Sequence, residues 1–286
     1  MSVALALVAG LALGFIVVRS LSSTLENPSL TRTNHRGRTL PTAGGLAVVL
    51  AVIIAEASLG VLEAGGWETD AAAASGRRLV VLAALGFGLL GFVDDLLGVG
   101  ESGGFKGHLA ALVRGRLTSG GVKLVGGAAL SLVVMAAIQP GSVGRILADG
   151  ALVALSANLA NLFDRAPGRT IKVAVLSYAG LLLAVGAAPE LTGVALVVGA
   201  AGGLLWDDLR EHLMLGDVGA NVLGAALGIG VVLTATPTAR NVVLLLVVGL
   251  NVLSEVVSFS RVIDRTPPLR VLDRLGRPPA DPPDPG

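Results

Sequence analysis

The chain has 286 residues, of which 53% are hydrophobic and only 14% are charged, and its mean hydropathy is +0.80. Soluble domains carry about 25% charged residues, so this composition excludes an ordinary soluble domain and is typical of a protein dissolved in lipid. The formal net charge of +1 gives no indication of a nucleic-acid partner, and the absence of cysteine excludes disulfides and thiolate metal sites.

Apolar runs of helix length recur along nearly the whole chain, and each is long enough for a hydrocarbon core about 30 Å thick. The sequence therefore predicts an all-α, polytopic membrane protein with about nine transmembrane helices and a site on cytoplasmic loops and helix ends. The predicted helices span residues 3–18, 44–62, 79–97, 122–138, 146–163, 171–188, 191–206, 218–235 and 241–258.

We predict a transmembrane domain over residues 1–258 and a basic, then Pro-rich cytoplasmic tail over residues 259–286 that ends in disorder. A signal peptide has basic residues before its apolar run, but the first apolar run of this chain has no Lys or Arg before it. It is therefore predicted to be a spanning helix with its N-terminus outside. In this orientation all but four of the 21 Lys and Arg residues lie on inner segments, as the positive-inside rule requires. The four exceptions are Arg77, Arg78, Arg145 and Arg240.

Two adjacent carboxylates stand in the third predicted helix, within L-L-G-F-V-D-D-L-L-G at 89–98. An aspartate at the centre of a membrane helix costs roughly 2.5–3.5 kcal/mol. Asp94 lies 16 residues after Arg78, about 24 Å along a helix, so both Asp94 and Asp95 approach the cytoplasmic boundary. There they are reachable by water-soluble ligands; a structural ion pair or a solvated helix end is the alternative interpretation.

Three more segments carry polar groups to the same boundary. In S-A-N-L-A-N-L-F-D-R at 156–165, Asn158, Asn161 and Asp164 share one ridge of the fifth helix. For the two asparagines, interhelical hydrogen bonding is the alternative, and for Asp164 a helix-end pair with Arg165. Asp217, in M-L-G-D-V-G-A-N at 214–221, precedes the eighth helix, whose N-terminal amides face the same zone; an N-cap, which is compatible with metal binding, is the alternative interpretation.

The third segment is N-H-R-G-R-T-L-P-T-A-G-G at 34–45, which runs into the second helix. It offers the cations Arg36 and Arg38, the hydroxyl of Thr42, and glycines such as Gly45 that permit close backbone approach. Carboxylates and amide oxygens suit Mg²⁺, and flanking cations with a helix N-terminus suit a phosphorylated ligand. Together these segments predict a site for phosphoryl transfer, which depends mainly on positioning and electrostatic stabilisation.

The order P-T-x-G-G, G-F-x-D-D, N-x-x-N-L-x-D and G-D-x-G resembles the polyprenyl-phosphate N-acetylhexosamine-1-phosphate transferases over roughly residues 30–260. That family includes the phospho-N-acetylmuramoyl-pentapeptide transferase of peptidoglycan synthesis and the undecaprenyl-phosphate N-acetylglucosamine-1-phosphate transferase. The resemblance implies catalytic roles for Asp94, Asp95 and Asp217 and Mg²⁺ binding by Asp94, Asn161 and Asp217. The substrate-binding residues expected on this basis and from the local chemistry are Arg38, Thr42, Gly45, Lys106, His108, Asn158, Asn161, Asp164, Arg169 and Lys172.

The implied reaction transfers a sugar 1-phosphate from a UDP-N-acetylhexosamine, or a related UDP-sugar, to polyprenyl phosphate, with release of UMP. It implies a multi-pass protein of the bacterial cytoplasmic membrane that serves cell-envelope glycan synthesis, and a homodimer is compatible with the sequence. The chain departs from the muramoyl branch: R-A-P-G-R follows the asparagine motif, Ala220 follows G-D-x-G, and a His-rich loop and a tenth helix are absent. A non-catalytic relative that binds the lipid carrier or a partner protein, and a secondary transporter, are the alternatives.

Overall fold

The structure is a computed structural model that describes residues 1–34, 36–97, 107, 113–115, 118–139 and 142–278. Within these residues nine long helices form an all-α bundle, which confirms the predicted fold class. They are α1 (Val3–Leu25), α2 (Leu46–Ala64), α3 (Ala71–Leu97), α4 (Ser119–Ile138), α5 (Val143–Phe163), α6 (Arg169–Val185), α7 (Thr192–Leu209), α8 (Gly216–Thr234) and α9 (Pro237–Ser254).

Eight of these helices are long and apolar enough to cross a membrane, counting α7 together with the 3₁₀ turn Pro189–Leu191 that precedes it. The remaining one, α6, has 17 residues, the short end of the range for a spanning helix. The helices begin and end within a few residues of the predicted bounds except that α1 continues to Leu25 and α3 begins at Ala71. The N-terminal part of α3 was missed because R-R at 77–78 interrupts its apolar pattern.

Two features were not predicted. The segment before α2 forms a short antiparallel hairpin of β1 (Thr31–Thr33) and β2 (Thr39–Pro41). The basic first part of the predicted tail is helical, since α10 (Phe259–Arg265) and α11 (Pro267–Arg274) are folded against the bundle. The Pro-rich end, 279–286, lies outside the described residues.

The centre of the bundle is built from α7 and α8. In the most apolar stretch of each helix, 72% and 78% of the residues, respectively, are buried inside the protein. Small residues permit this close packing: Gly10 and Gly14 of α1 face Gly199 and Gly203 of α7, a G-x-x-x-G repeat on each helix. A β-carbon on Gly14 would lie 2.2 Å from the carbonyl oxygen of Ala200. The two backbones therefore touch directly.

The contacts between the ends of the helices show which loops lie at the same end of the bundle. The C-terminal end of α3 meets the N-terminal end of α8 at one end, which we call the site end. At the other, far end, the buried Arg77 of α3 binds Glu56 and Glu63 of α2, and the buried Asp149 of α5 binds Arg240 of α9. Each far-end arginine is thus paired with a carboxylate, which reduces the cost of placing charge beside apolar helices.

Candidate functional site

Asp95 is buried and joins three elements of the site end. Its carboxylate accepts hydrogen bonds from the backbone N–H groups of Asp217 and Val218, both at 3.2 Å, and from the Thr42 hydroxyl at 3.3 Å. Asp95 thereby caps the N-terminus of α8 from a different helix, where the dipole favours a negative charge. Both of its oxygens are used in this way, so the geometry gives Asp95 a positioning role.

Gly216 makes this junction possible because it starts α8 in the left-handed region, with φ of 72°. A β-carbon at Gly216 would lie 1.8 Å from the carbonyl oxygen of Thr42 and 2.7 Å from Asp95 Oδ2. Gly45 meets the same helix, because its β-carbon would lie 2.0 Å from the backbone nitrogen of Gly219. The predicted ligand-binding residues Thr42 and Gly45 are therefore used to seat α8 against the segment before α2.

The neighbouring Asp94 points to a different group, which we call the acid–lysine cluster: Asp94, Lys123, Asn161 and Asp217. Lys123 Nζ lies 3.1 Å from Asp94 Oδ2 and also donates to Asp217 Oδ2. The side chains of Asp94, Lys123 and Asp217 are 19%, 15% and 25% exposed, so the cluster is recessed but open at one side. It brings together residues of α3, α4, α5 and α8.

The amide of Asn161 completes the cluster. When its oxygen and nitrogen are assigned by their hydrogen-bond partners, the nitrogen donates to Asp217 Oδ1 at 2.6 Å and the oxygen accepts from Lys123 Nζ at 2.8 Å. The predicted convergence of Asp94, Asn161 and Asp217 is thus present in the fold. Asn158, one turn away, instead donates to Asn251 Oδ1 of α9 at 2.7 Å, an interhelical contact of the kind that stabilises membrane bundles.

Lys123 was missed as a site residue because the sequence presents it as one of many inner cations. The sequence feature that could have identified it is its position one turn inside α4, in V-K-L, where a cation among apolar residues needs an anionic partner. Asp208 was not predicted as a structural residue, because W-D-D-L-R-E-H at 206–212 is typical of a surface stretch. It is buried, and its Oδ2 accepts the backbone N–H of Gly168 at 2.9 Å, which fixes the turn between α5 and α6.

Asp164 lies on that same turn, just beyond the last residue of α5. Its Oδ1 accepts a hydrogen bond from the Thr170 hydroxyl at 3.1 Å. Burial, together with the negative charges of Asp208 and Asp217, raises the pKa of Asp164 well above its ordinary value. A cation bound beside this acid would reverse that effect, because it favours the ionised carboxylate.

The predicted cations are engaged with protein groups. Arg38 binds the buried carboxylate of Glu211 at 3.1 Å, together with Arg36 at 3.1 Å, and Arg38 itself is 48% exposed. Arg169 forms a two-pronged pair with Asp273 of α11, and the Lys172 ammonium donates to backbone carbonyls at the end of α11. Arg169 and Lys172 therefore hold the C-terminal segment. Lys106 and His108 lie outside the described residues.

The donor set of the acid–lysine cluster suits Mg²⁺. That ion is usually held by one or two carboxylates and keeps waters and substrate phosphates as its other ligands. Asp94 and Asp217 supply two partly exposed carboxylates, and Asn161 supplies an amide oxygen that lies 2.8 Å from Lys123 Nζ, the group that joins the two acids. Among the described residues no group of three or more His, Cys, Asp or Glu side chains is placed to hold a metal ion.

No known family model matches the chain, and no curated protein matches it. The functional assignment therefore depends on the motifs and on the geometry of the site end.

Proposed function

We propose that the protein is a Mg²⁺-dependent phosphotransferase that moves a sugar 1-phosphate from a UDP-N-acetylhexosamine, or a related UDP-sugar, to polyprenyl phosphate. The products are a polyprenyl-diphosphate sugar and UMP. The observation that carries this proposal is the convergence of Asp94, Asn161 and Asp217, from three helices far apart in the sequence, around the Lys123 ammonium at one end of a membrane bundle.

The position of the cluster suits two substrates of different solubility. A lipid acceptor has its phosphate at the membrane boundary, and a sugar nucleotide arrives from water. The cluster lies at the ends of spanning helices and is partly exposed, so both substrates can approach it. A transporter would place its polar groups near the bilayer midplane on broken helices, whereas α3, α5 and α8 are continuous through their length.

In the proposed reaction, an oxygen of the polyprenyl phosphate forms a bond to the β-phosphorus of the UDP-sugar. The bond between that phosphorus and the oxygen bridging it to the α-phosphorus breaks, and UMP leaves with the electron pair. A bound Mg²⁺ would neutralise charge on the phosphates, and Asp94, Asp217 and Asn161 would hold it.

Lys123 has the complementary task. Its ammonium donates to both carboxylates and to the Asn161 oxygen, so its three N–H groups are engaged, and it would act on an entering phosphate through its positive charge. Asp95 keeps the N-terminal turn of α8 in place, so that Asp217 is presented at a fixed position. No side-chain base is needed, since a phosphate monoester has lost most of its second proton near neutral pH, with a pKa of about 6.

A non-catalytic, lipid-carrier-binding protein is the second candidate. It is favoured by one observation: Arg169 and Lys172, expected to contact substrate, are committed to the C-terminal segment. Such a protein would bind polyprenyl phosphate without releasing UMP.

The test is UMP release by the purified, lipid-reconstituted chain with undecaprenyl phosphate and Mg²⁺, with UDP-N-acetylglucosamine, UDP-N-acetylgalactosamine and UDP-N-acetylmuramoyl-pentapeptide supplied in turn. Asp94→Asn and Asp217→Asn should each lower the rate by at least about 10²-fold, while the exposed Asp264→Asn should leave it unchanged. Binding of undecaprenyl phosphate with no UMP from any donor would favour the second candidate. Turnover that survives both substitutions in the cluster would remove the metal assignment.

A further inference from the structure

Among the described residues, polar contacts centred on Asp273 attach the C-terminal segment, residues 259–278, to the bundle. Arg169 Nε and Nη2 lie 2.7 and 3.1 Å from the two carboxylate oxygens of Asp273, and Arg169 Nη1 lies 2.7 Å from the Ser260 hydroxyl. Arg277 also binds Asp273 at 2.7 Å and donates to the carbonyl oxygen of Pro167 at 2.8 Å. Asp273 is consequently buried, although its neighbours along α11 are not.

The remaining surface of α11 divides into two chemically different sides. At 3.6 residues per turn, Leu272 projects about 100° to one side of Asp273 and Arg274 about 100° to the other. Leu272 and Leu275 are 40% and 64% exposed, and Val271 is 67% exposed. Arg270 and Arg274 lie on the basic side, and both are exposed. Because Asp273 faces the protein, α11 presents an apolar side and a basic side in opposite lateral directions.

The segment begins at the edge of the apolar zone. Phe259, its first residue, stacks on Phe163, the last residue of α5, with ring centroids 5.1 Å apart. The spanning helix α9 ends at Ser254, only a few residues earlier. A short amphipathic helix tied at this level lies where headgroups and acyl chains meet, the environment that suits an apolar side next to a basic side.

The C-terminal segment also carries an excess of positive charge. It contains five arginines against two aspartates, and one of the aspartates is enclosed by Arg169 and Arg277. Clusters of arginine beside a spanning helix are attracted to anionic lipid, whose surface potential is negative. A partner protein would need neither the tether to α9 nor the position at the membrane boundary.

We propose that the C-terminal segment binds the anionic lipid surface at the site end of the bundle, with Leu272 and Leu275 at the headgroup–acyl boundary and the exposed arginines on lipid phosphates. Nothing in this proposal depends on the catalytic function.

The experiment uses the full-length chain, which contains no cysteine, so single cysteines can be labelled without background. Leu272→Cys and its matched control Arg274→Cys are labelled with bimane and reconstituted in nanodiscs of phosphatidylcholine alone or with phosphatidylglycerol. We expect lipid-borne nitroxide to quench the Leu272→Cys label at least about twofold more than the control, and aqueous iodide to show the reverse order. The difference should increase with phosphatidylglycerol.

A second comparison removes the charge. In the Leu272→Cys protein, the added changes Arg261→Gln, Arg265→Gln and Arg270→Gln should abolish the dependence on phosphatidylglycerol, while thermal stability in detergent stays that of the parent. Equal quenching of the two labels by lipid-borne nitroxide would overturn the proposal. Lipid quenching that does not change with phosphatidylglycerol would also overturn it. Protection of the label from both quenchers that increases with the protein-to-lipid ratio would overturn it too, and would identify a second copy of the chain as the partner.

Discussion

The carboxylate of Asp95 accepts a hydrogen bond from the backbone N–H of Asp217 at 3.2 Å, which joins the end of α3 to the start of α8. The adjacent residues Asp94 and Asp95 therefore have different roles. Asp95 turns inward and is 9% exposed, whereas Asp94 turns toward Lys123 and the opening of the cluster. The consequence is that the two should differ in what their removal does to the fold.

We expect Asp95→Ala to lower the free energy of unfolding by about 1–3 kcal/mol, because two N–H groups at the start of α8 lose their acceptor. Asp94→Ala is the matched control and should cost less, since its side chain is more exposed and frees no backbone group. Thermal unfolding in detergent, followed by tryptophan fluorescence, measures both. Equal destabilisation by the two substitutions would contradict the separation of roles.

Lys123 allows the metal assignment to be tested without turnover. Lys123→Met leaves Asp94 and Asp217 facing each other without a cation, and we expect a loss of roughly 1–3 kcal/mol, less than for a fully buried pair because the groups are partly exposed. Mg²⁺ should then restore stability and should raise the melting temperature of Lys123→Met more than that of the wild type.

The control for this experiment is Lys123→Met combined with Asp217→Asn, in which one carboxylate charge is removed. That protein should recover part of the stability without Mg²⁺ and respond weakly to the ion. A Mg²⁺ response that is identical in all three proteins would place the ion elsewhere.

Gly216 and Gly37 form a matched pair for the junction at α8, because both have positive φ, at 72° and 77°. A β-carbon at Gly37 would meet nothing within 4 Å, whereas at Gly216 it would collide with the Thr42 carbonyl at 1.8 Å. Gly37→Ala should cost only the backbone strain, about 1–2 kcal/mol. Gly216→Ala should cost clearly more and disturb the cluster; comparable melting temperatures for the two variants would refute the tight junction.

Much of the fold follows from the sequence because apolar length decides spanning helices, and the aspartate pair and G-D-V-G were placed at one boundary by counting residues along helices. The role of Asp95 could not be predicted, since which of two adjacent carboxylates turns inward depends on the packing of Gly91 against the backbone of Asp217. The pattern of cations was equally ambiguous. Arg169 was expected to bind substrate, and its actual partner, Asp273, lies 104 residues later in the chain, a separation that only the fold bridges.

The helices of the C-terminal segment were not predicted, because its composition is basic and rich in proline, and composition does not reveal a tertiary partner. Pro267 and Pro268 stand at the first turn of α11, where proline is tolerated because the N–H groups there need no intrahelical acceptor. The segment is ordered by Asp273, whose contacts with Arg169 and Arg277 only the fold supplies.

That attachment has a pH dependence with a defined sign. Burial alone would raise the pKa of Asp273, but the hydrogen bond from Arg169 and the charges of Arg277 and Arg169 outweigh it and hold the pKa below its ordinary value. The stabilisation is therefore fully present above the unfolded-state pKa of about 3.9 and is lost as the pH falls through the lower folded-state value. We expect α11 to detach only in that acidic range.

Hydrogen exchange of α11 in the full chain, read by mass spectrometry after correction for the intrinsic rate at each pH, measures this attachment. Asp273→Asn should show fast exchange of α11 at neutral pH and no further pH step, and Arg270→Ala, whose side chain is exposed, should behave as the wild type. Protection of α11 that persists in Asp273→Asn would show that another contact holds the segment.

Sidedness provides the most general test, because a UDP-sugar is available only in the cytosol. Ser29 and Asp264 are exposed at the site end, and Glu68 is exposed at the far end between α2 and α3. By the positive-inside rule, Ser29→Cys and Asp264→Cys should react with an impermeant maleimide only after the cells are permeabilised, while Glu68→Cys should react in intact cells. Ser29→Cys and Asp264→Cys on opposite sides would contradict the bundle itself. The reverse pattern for all three would leave the bundle intact but place the acid–lysine cluster outside, where a cytosolic sugar nucleotide could not reach it.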